Sequence, residues 1–163
     1  MTNVLLIVLL ATASTDRAAT VHDQIAGKLA PTAKQKLVSI AASLPATISN
    51  PEGTSRSIRA AFPDVNFTQL DIDSLSAFVL QEAATQTEQD LKTTLDQMKS
   101  INQQKVGLRT TEKKKLETLN QMSDMMQMKT HMLMDRRSKF MSSLSNLLKK
   151  IADAQSAIIS NLK

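Results

Sequence analysis

Two histidines, His22 and His131, are the side chains best suited to chemistry in this sequence. Neither has a second His, Asp or Glu at metal-binding spacing on one helix face, and adjacent helical residues such as His22 and Asp23 point apart. Asp71 and Asp73 suit helix capping better than general acid–base catalysis. No cysteine, phosphate-binding glycine loop, nucleophile elbow or HExxH motif occurs. We therefore expect no enzyme activity, no metal and no cofactor.

Basic clusters are the remaining residues with a chemical role to consider. Lysines occupy 113–115, and Arg136 and Arg137 follow later in the chain. Such groups can meet phosphates, but the only aromatic residue nearby that could stack on a base is Phe140. Phe140 belongs to an apolar repeat, so we do not expect a nucleic-acid partner.

The charges are arranged in blocks along the second half of the chain. Residues 64–96 contain seven acids and one lysine, a net charge of −6. Residues 97–115 have a net charge of +5, and residues 116–163 have a net charge of +3. An acidic block followed by basic blocks predicts pairing between antiparallel helices or between neighbouring copies.

Composition predicts an all-α protein. Of 163 residues, 42% are apolar, and the chain has four Phe, three Gly and four Pro but no Trp or Tyr. A sheet-based fold of this length would need more glycine turns and more β-branched runs.

The N-terminal segment 1–13 is apolar. Ala11-Thr12-Ala13 resembles a signal-peptidase site, yet no Lys or Arg precedes it, which argues against an ordinary secretory signal. An eight-residue helix rises about 12 Å and cannot span a bilayer core of about 30 Å. We expect the run to pack against this chain, another copy or a membrane surface. Its predicted packing residues are Val4, Leu5, Leu6, Ile7 and Leu9.

Residues 14–63 are predicted to form a module of short helices. Val21, Ile25 and Leu29 recur every four residues, and Pro31 ends that helix and starts the next. The second helix should end at Pro45. Residues 45–57 are predicted to be a loop, and 58–62 a short apolar turn. The predicted buried residues of the second helix are Leu37, Val38, Ile40, Ala41 and Leu44.

Residues 64–163 are predicted to form a long antiparallel, coiled-coil-like helical hairpin. This stretch has one glycine and no proline. Asp71 or Asp73 could cap its first helix, and the turn lies either at 107–111 or at 123–130. The helices would measure about 57 Å and about 75 Å, so the longer arm needs a further covering surface. The predicted apolar stripe includes Leu91, Leu95, Met98, Ile101, Leu116, Leu119, Met122 and Met126.

The C-terminal helix has the clearest pattern. We define the C-terminal seam as the heptad positions from 140 to 158, which step by 4, 3, 4, 3 and 4. Seven of the nine methionines fall between 122 and 141 and cover more than one helix face, which predicts burial between copies or modules. The seam residues are Phe140, Leu144, Leu147, Ile151, Ala154 and Ile158.

Two stretches resemble exported bacterial filament subunits. FMSSLSNLLKKIADAQSAIISNLK and QEAATQTEQDLKTTLDQMKSINQQK are similar in texture to flagellar and type III secretion needle-extension proteins. The resemblance covers at most residues 70–163 and implies a hairpin that polymerises through its apolar seam. Substrates of those machines usually begin with a polar segment, so the apolar N-terminus departs from the class and leaves the export route open.

The sequence therefore predicts a non-enzymatic protein that self-assembles through apolar helical faces, as a homo-oligomer or polymer, outside the cell or on its surface. A cytoplasmic location is the alternative. Two other functions remain open: a helical adaptor resembling a secretion chaperone, and a membrane-interacting translocator.

Overall fold

The computed structural model describes residues 22–44, 51–106, 108 and 112–161. In these ranges every regular element is a helix, so the predicted all-α class, with a long helical hairpin and short N-terminal helices, is confirmed. The segment 1–13 lies outside the described residues. The helices are α1 (22–28), α2 (Pro31–Ser43), α3 (Pro51–Ala61), α4 (Gln69–Val106) and α5 (Lys113–Asn161).

Pro31 separates α1 from α2 as predicted. It occupies the first turn of α2, where its missing N–H leaves no intrahelical bond unmade. Leu37, Ala41 and Leu44 are buried, which confirms the predicted inward face of this helix. Leu44 also ends the helix, because its N–H turns back to the Ala41 carbonyl at 3.4 Å.

α3 corrects the predicted loop over residues 51–57 and the predicted turn at 58–62, while residues 45–50 of that loop lie outside the described residues. Residues 51–61 are helical, with Pro51 at the start of the helix, where proline is tolerated. Thr54 and Ile58 are four residues apart and both are fully buried, so the helix has a core-facing side. The Ser55 hydroxyl donates to the Pro51 carbonyl at 2.7 Å, which satisfies a residue type otherwise typical of loops.

The N-cap of α4 is Thr68, not Asp71 or Asp73. Thr68 Oγ1 accepts a hydrogen bond from the Asp71 N–H at 3.2 Å. Asp71 Oδ2 accepts in return from the Thr68 N–H at 3.0 Å. This reciprocal pair is a capping box with Asp in the position usually held by Glu. Asp73 lies further along α4, where its side chain is buried.

The helix bounds decide between the two predicted turn positions. α4 ends at Val106 and α5 begins at Lys113, so the first alternative agrees with the structure. Residues 123–130 lie inside α5 and are helical throughout, which excludes the second.

The chain divides into two compact units. Of the described residues, the core unit combines those up to Ala84 with those from Lys139 onward, and the hairpin unit comprises those within Thr85–Ser138. Sixteen buried apolar residues from all five helices form the cluster at the centre of the core unit. Among the described residues of the hairpin unit, three apolar side chains are buried: Ile101, Leu119 and Leu133. The two units therefore differ greatly in the size of their hydrophobic cores.

Candidate assembly surfaces

Most of the C-terminal seam is enclosed by the protein itself. Phe140 is fully buried, and Leu144, Leu147 and Ile151 are at most 3% exposed in the core unit. The pattern therefore identifies buried positions, and the chain's own α2, α3 and α4 supply the side chains around them. Beyond Ile151 the seam positions are no longer buried, since Ala154 and Ile158 are exposed. Only this end of the seam offers apolar surface to another molecule.

Each unit has an ion pair that joins α4 to α5. In the core unit Lys150 Nζ lies 3.0 Å from Asp73 Oδ2. In the hairpin unit Arg137 donates from Nε and Nη2 to Glu88 Oε2, at 3.2 and 3.1 Å. Both carboxylates come from the acidic block at 64–96. The predicted pairing of oppositely charged blocks between antiparallel helices is thus present at these two positions.

In the hairpin unit, α4 and α5 pack through a heptad interface that includes hydroxyl side chains. On α4 the inward positions step by 4, 3, 4 and 3 from Thr87 to Ile101, and Thr94 is fully buried. Thr94 can be buried because its Oγ1 donates to the Asp90 carbonyl at 2.8 Å. The predicted stripe wrongly placed Leu95 inward, where the structure has Thr94. The half-buried or buried inward positions are Thr87, Leu91, Thr94, Met98 and Ile101 on α4, and Leu116, Leu119, Ser123, Met126, Thr130, Leu133 and Arg137 on α5.

The opposite side of α5 exposes three methionines. We define the methionine face as Met125, Met128 and Met132, which are 68%, 65% and 61% exposed. Their spacing of three and then four residues places them on one side of the helix, away from the inward positions. Met122 and Met134, at 41% and 54% exposure, lie on opposite sides of the inward positions, and only Met122 borders the methionine face. An exposed apolar patch of this kind marks an interaction surface.

A second apolar surface lies along α4. Leu95 is 46% exposed and Val106 is 87% exposed, and a shallow groove runs between them. Met98, Asn102 and Gln103 contribute to this groove. In contrast to the methionine face, polar side chains separate its apolar ends, so it offers less continuous apolar contact.

A third apolar surface is the end of α5 in the core unit. Ile158 is 46% exposed and Ile159 is 61% exposed. Residues 156–161 are all exposed, so this last stretch of helix is not covered by the described part of the core unit.

A cleft of about 400 Å³ opens among α3, α4 and α5 of the core unit. Arg56 and Arg59 line it from α3, while Lys150 and Asp73, already paired with each other, line it from the long helices. Glu52 also contributes. Cationic and anionic side chains are mixed here, so the lining does not favour a ligand of one charge.

His22 lies against an aromatic ring and two carboxylates. Its ring stacks on Phe78 with centroids 4.6 Å apart, and Nε2 lies 3.5 Å from Glu82 Oε2. Nδ1 lies 3.3 Å from Asp23 Oδ1, so the expectation that these adjacent side chains point apart was wrong. The side-chain rotamers turn both groups toward each other at the start of the described chain.

Within the described ranges, no group of three or more His, Asp or Glu side chains has the geometry to hold a metal ion. None of the helices described is both long enough and apolar enough to cross a membrane. The exposed apolar surfaces described above form the candidate functional site.

Protein-family models, curated proteins and solved structures gave no match.

Sequence reasoning located some of these surfaces and missed others. It grouped Met122 and Met126 in one stripe, whereas Met122 is exposed and Met126 is half-buried at the interface. It missed Met125, Met128 and Met132 as a single face. Their spacing of three and four residues was available in the sequence, but the inward register that makes this side the outer one depends on buried Thr and Ser residues.

Proposed function

We propose that this protein is a non-enzymatic structural subunit that self-assembles through apolar helical faces. The observation that supports this most directly is the distribution of exposed large apolar side chains. Within the described residues ten such side chains are 41–87% exposed, and nine of them lie on α4 and α5. Five of the nine are methionines between 122 and 134.

Exposure of this kind has a physical cost in water. Each apolar side chain left in solvent forgoes about 1.5–3 kcal/mol of burial free energy. Scattered single residues are ordinary, but residues aligned on one side of a helix form a contiguous patch. Association that covers the patch recovers part of that free energy.

We further propose that the assembly is a filament of the exported bacterial type. The resemblance in the two quoted stretches supports this, together with the helical hairpin. Continuous growth needs two different surfaces on each subunit, because a single self-complementary surface closes into a dimer. The methionine face and the exposed end at Ile158 and Ile159 provide two separate candidates.

Light scattering coupled to size-exclusion chromatography, with negative-stain microscopy of the same fractions, tests the proposal. We expect species larger than a monomer at micromolar concentration and regular polymers among them. A monodisperse monomer over the accessible concentration range would refute self-assembly.

A helical adaptor similar to a secretion chaperone is the second candidate. The five exposed methionines favour it, because flexible thioether side chains adapt to partners of different shape. A stable monomer that binds a purified amphipathic helix through this surface would support the adaptor in place of the structural subunit.

A further inference from the structure

We propose that the end of the hairpin unit, where α4 ends and α5 begins, binds the surface of a bilayer that contains anionic phospholipids. We define the lysine end as Lys105 of α4 together with Lys113, Lys114 and Lys115 of α5. This inference goes beyond the proposed function, because it assigns a partner of different chemistry to a surface that shares no residue with the methionine face. The attraction is between lysine ammonium groups and the negative headgroups of the lipid.

Positive charge is concentrated at this end of the hairpin unit. By sequence, residues 99–118 contain six basic and two acidic side chains, a net charge of +4. The remainder of the hairpin unit, residues 85–98 and 119–138, contains four basic and five acidic side chains, a net charge of −1. An anionic surface therefore attracts this end of the unit and not the rest of it.

The lysines of this end are available to an anionic partner. Residues 113–115 are exposed and Lys105 is half-buried. None of them has an ion-pair partner among the described residues. The two acids nearby, Glu112 and Glu117, are exposed and are not paired with these lysines in the described part of the chain. The hairpin's own carboxylates therefore leave the ammonium groups free to meet lipid headgroups.

The first turn of α5 has the opposite charge from the one that a helix N-terminus favours. It contains three lysines and no acid, although the N-terminus of a helix itself carries a partial positive charge. These like charges repel each other and lower the stability of the turn. An anionic surface against the turn relieves the repulsion, so an arrangement that is unfavourable in water becomes favourable at anionic lipid.

The helix register places the lysines of α5 beyond the end of α4. The ion pair between Glu88 and Arg137 sets these two residues level with each other. Counting along both antiparallel helices then sets Val106, the last residue of α4, level with Leu119 of α5. Lys115 lies four residues before Leu119, which is about 6 Å further out along the axis. A planar surface can therefore reach the lysines without contacting the sides of the two helices.

An apolar side chain among the lysines favours a bilayer over a nucleic acid. Val106 is 87% exposed, the largest value among the large apolar side chains of the described residues. At a membrane surface, valine and the lysine stems can enter the interfacial region while the ammonium groups stay at the level of the headgroups. Stacking on nucleic-acid bases has no support here, because the sequence contains no Phe, Tyr or Trp between Phe78 and Phe140.

Vesicle flotation with the full chain tests the proposal, because protein polymers do not float in the absence of lipid. In about 0.1 M salt, where the screening length is about 10 Å, the wild type should float with vesicles of mixed phosphatidylcholine and phosphatidylserine. It should not float with vesicles of phosphatidylcholine alone. Salt at 1 M should release the protein, since the screening length falls to about 3 Å.

The variant Lys113→Gln/Lys114→Gln/Lys115→Gln tests the assigned residues. It should raise the lipid concentration for half-maximal flotation about a hundredfold, because each lysine near an anionic surface contributes a factor of about five. Glutamine and lysine have similar helix propensities, so the helical signal in circular dichroism should remain unchanged.

The matched control is Lys28→Gln/Lys34→Gln/Lys149→Gln, which removes the same charge from exposed positions of the core unit. It should change the half-maximal lipid concentration less than about threefold. Equal weakening in the two triple variants would overturn the proposal, because total charge and not this end would then govern binding. Equal flotation of the wild type with neutral vesicles, or no flotation with anionic ones, would overturn it as well. A DNA oligonucleotide bound by the wild type but not by the lysine-end variant, without flotation, would assign this end to nucleic acid instead.

Discussion

Lys150 and Asp73 form an ion pair in which the two partners differ greatly in exposure. Nζ lies 3.0 Å from Oδ2, with the Asp73 side chain 8% exposed and the Lys150 side chain 59% exposed. Gln69 Nε2 also donates to Asp73 Oδ1, at 2.8 Å. The buried Asp73 carboxylate therefore receives one hydrogen-bond donor from α4, its own helix, and one from α5.

Lys150→Met should lower the free energy of unfolding by about 1–2 kcal/mol. The substitution keeps the apolar stem but leaves Asp73 with the Gln69 donor and no cation. Denaturant titration followed by circular dichroism measures the loss. Lys149→Met is the control, since Lys149 is exposed and its replacement should change the value by less than about 0.5 kcal/mol. Equal losses in the two variants would contradict the assigned role of the pair.

The Glu88–Arg137 pair should contribute less. Their side chains are 63% and 43% exposed, so water and salt screen the attraction. A double-mutant cycle with Glu88→Gln and Arg137→Gln should give a coupling free energy below about 1 kcal/mol. The coupling should diminish in 1 M salt, where the screening length is about 3 Å. A large coupling that is insensitive to salt would show that solvent does not reach the pair.

Two substitutions in the C-terminal seam should have different consequences. Leu147→Asp places a carboxylate at a position that is 2% exposed, and it should unfold the core unit or lower its thermal midpoint severely. Ile158→Asp changes a residue that is 46% exposed and should leave the helical content intact. Thermal melts measure both. Loss of assembly in Leu147→Asp would therefore reflect unfolding, whereas loss in a folded Ile158→Asp protein would identify a contact between copies.

The capping box at the start of α4 predicts a specific cost. Thr68→Ala removes the acceptor for the Asp71 N–H and should lower the free energy of unfolding by about 0.5–2 kcal/mol. Thr68→Ser keeps the hydroxyl and should recover most of this stability. Chemical denaturation of the three proteins provides the comparison, and a serine variant as unstable as the alanine variant would argue against the cap.

Backbone amides of the hairpin unit should exchange with solvent faster than those of the core unit. Local opening is easier where few apolar contacts are broken, and three buried apolar side chains in the hairpin unit compare with sixteen in the core cluster. Hydrogen exchange with mass spectrometry on peptides from 85–106 and from 69–84 measures the contrast within one helix. Equal protection at a concentration that keeps the protein monomeric would contradict it.

Prolines and heptad spacing made the helices predictable, and burial against distant segments of the chain explains where the prediction failed. Pro31 marks the α1–α2 boundary through its fixed backbone angle and missing N–H, both of which are properties of the residue alone. The stretch containing Pro51 and Ser55 has loop-like composition, yet it is helical because Thr54 and Ile58 are buried in the core. That core is assembled from segments that are distant in the sequence. The helix propensity of the local residues therefore does not predict the burial.

The candidate surface was only partly predictable for a related reason. Apolar spacing identified Phe140 and Leu144 as buried positions, but a heptad pattern does not specify whether the covering side chains come from the same chain or from another. Thr94 was missed because a hydroxyl is assigned to the surface unless its bond to a backbone carbonyl is known. With Thr94 and not Leu95 as the inward residue of α4, a different set of side chains lies on the outer side of the hairpin.

The methionine face is also sensitive to oxidants. Met125, Met128 and Met132 are more than half exposed, so peroxide can reach their sulfur atoms without unfolding the helix. Oxidation to the sulfoxide turns each apolar side chain into a polar one, and sulfoxide reductases reverse the change. A contact made of leucine would be indifferent to this chemistry. A contact made of these three thioethers would loosen under oxidative stress and re-form after repair.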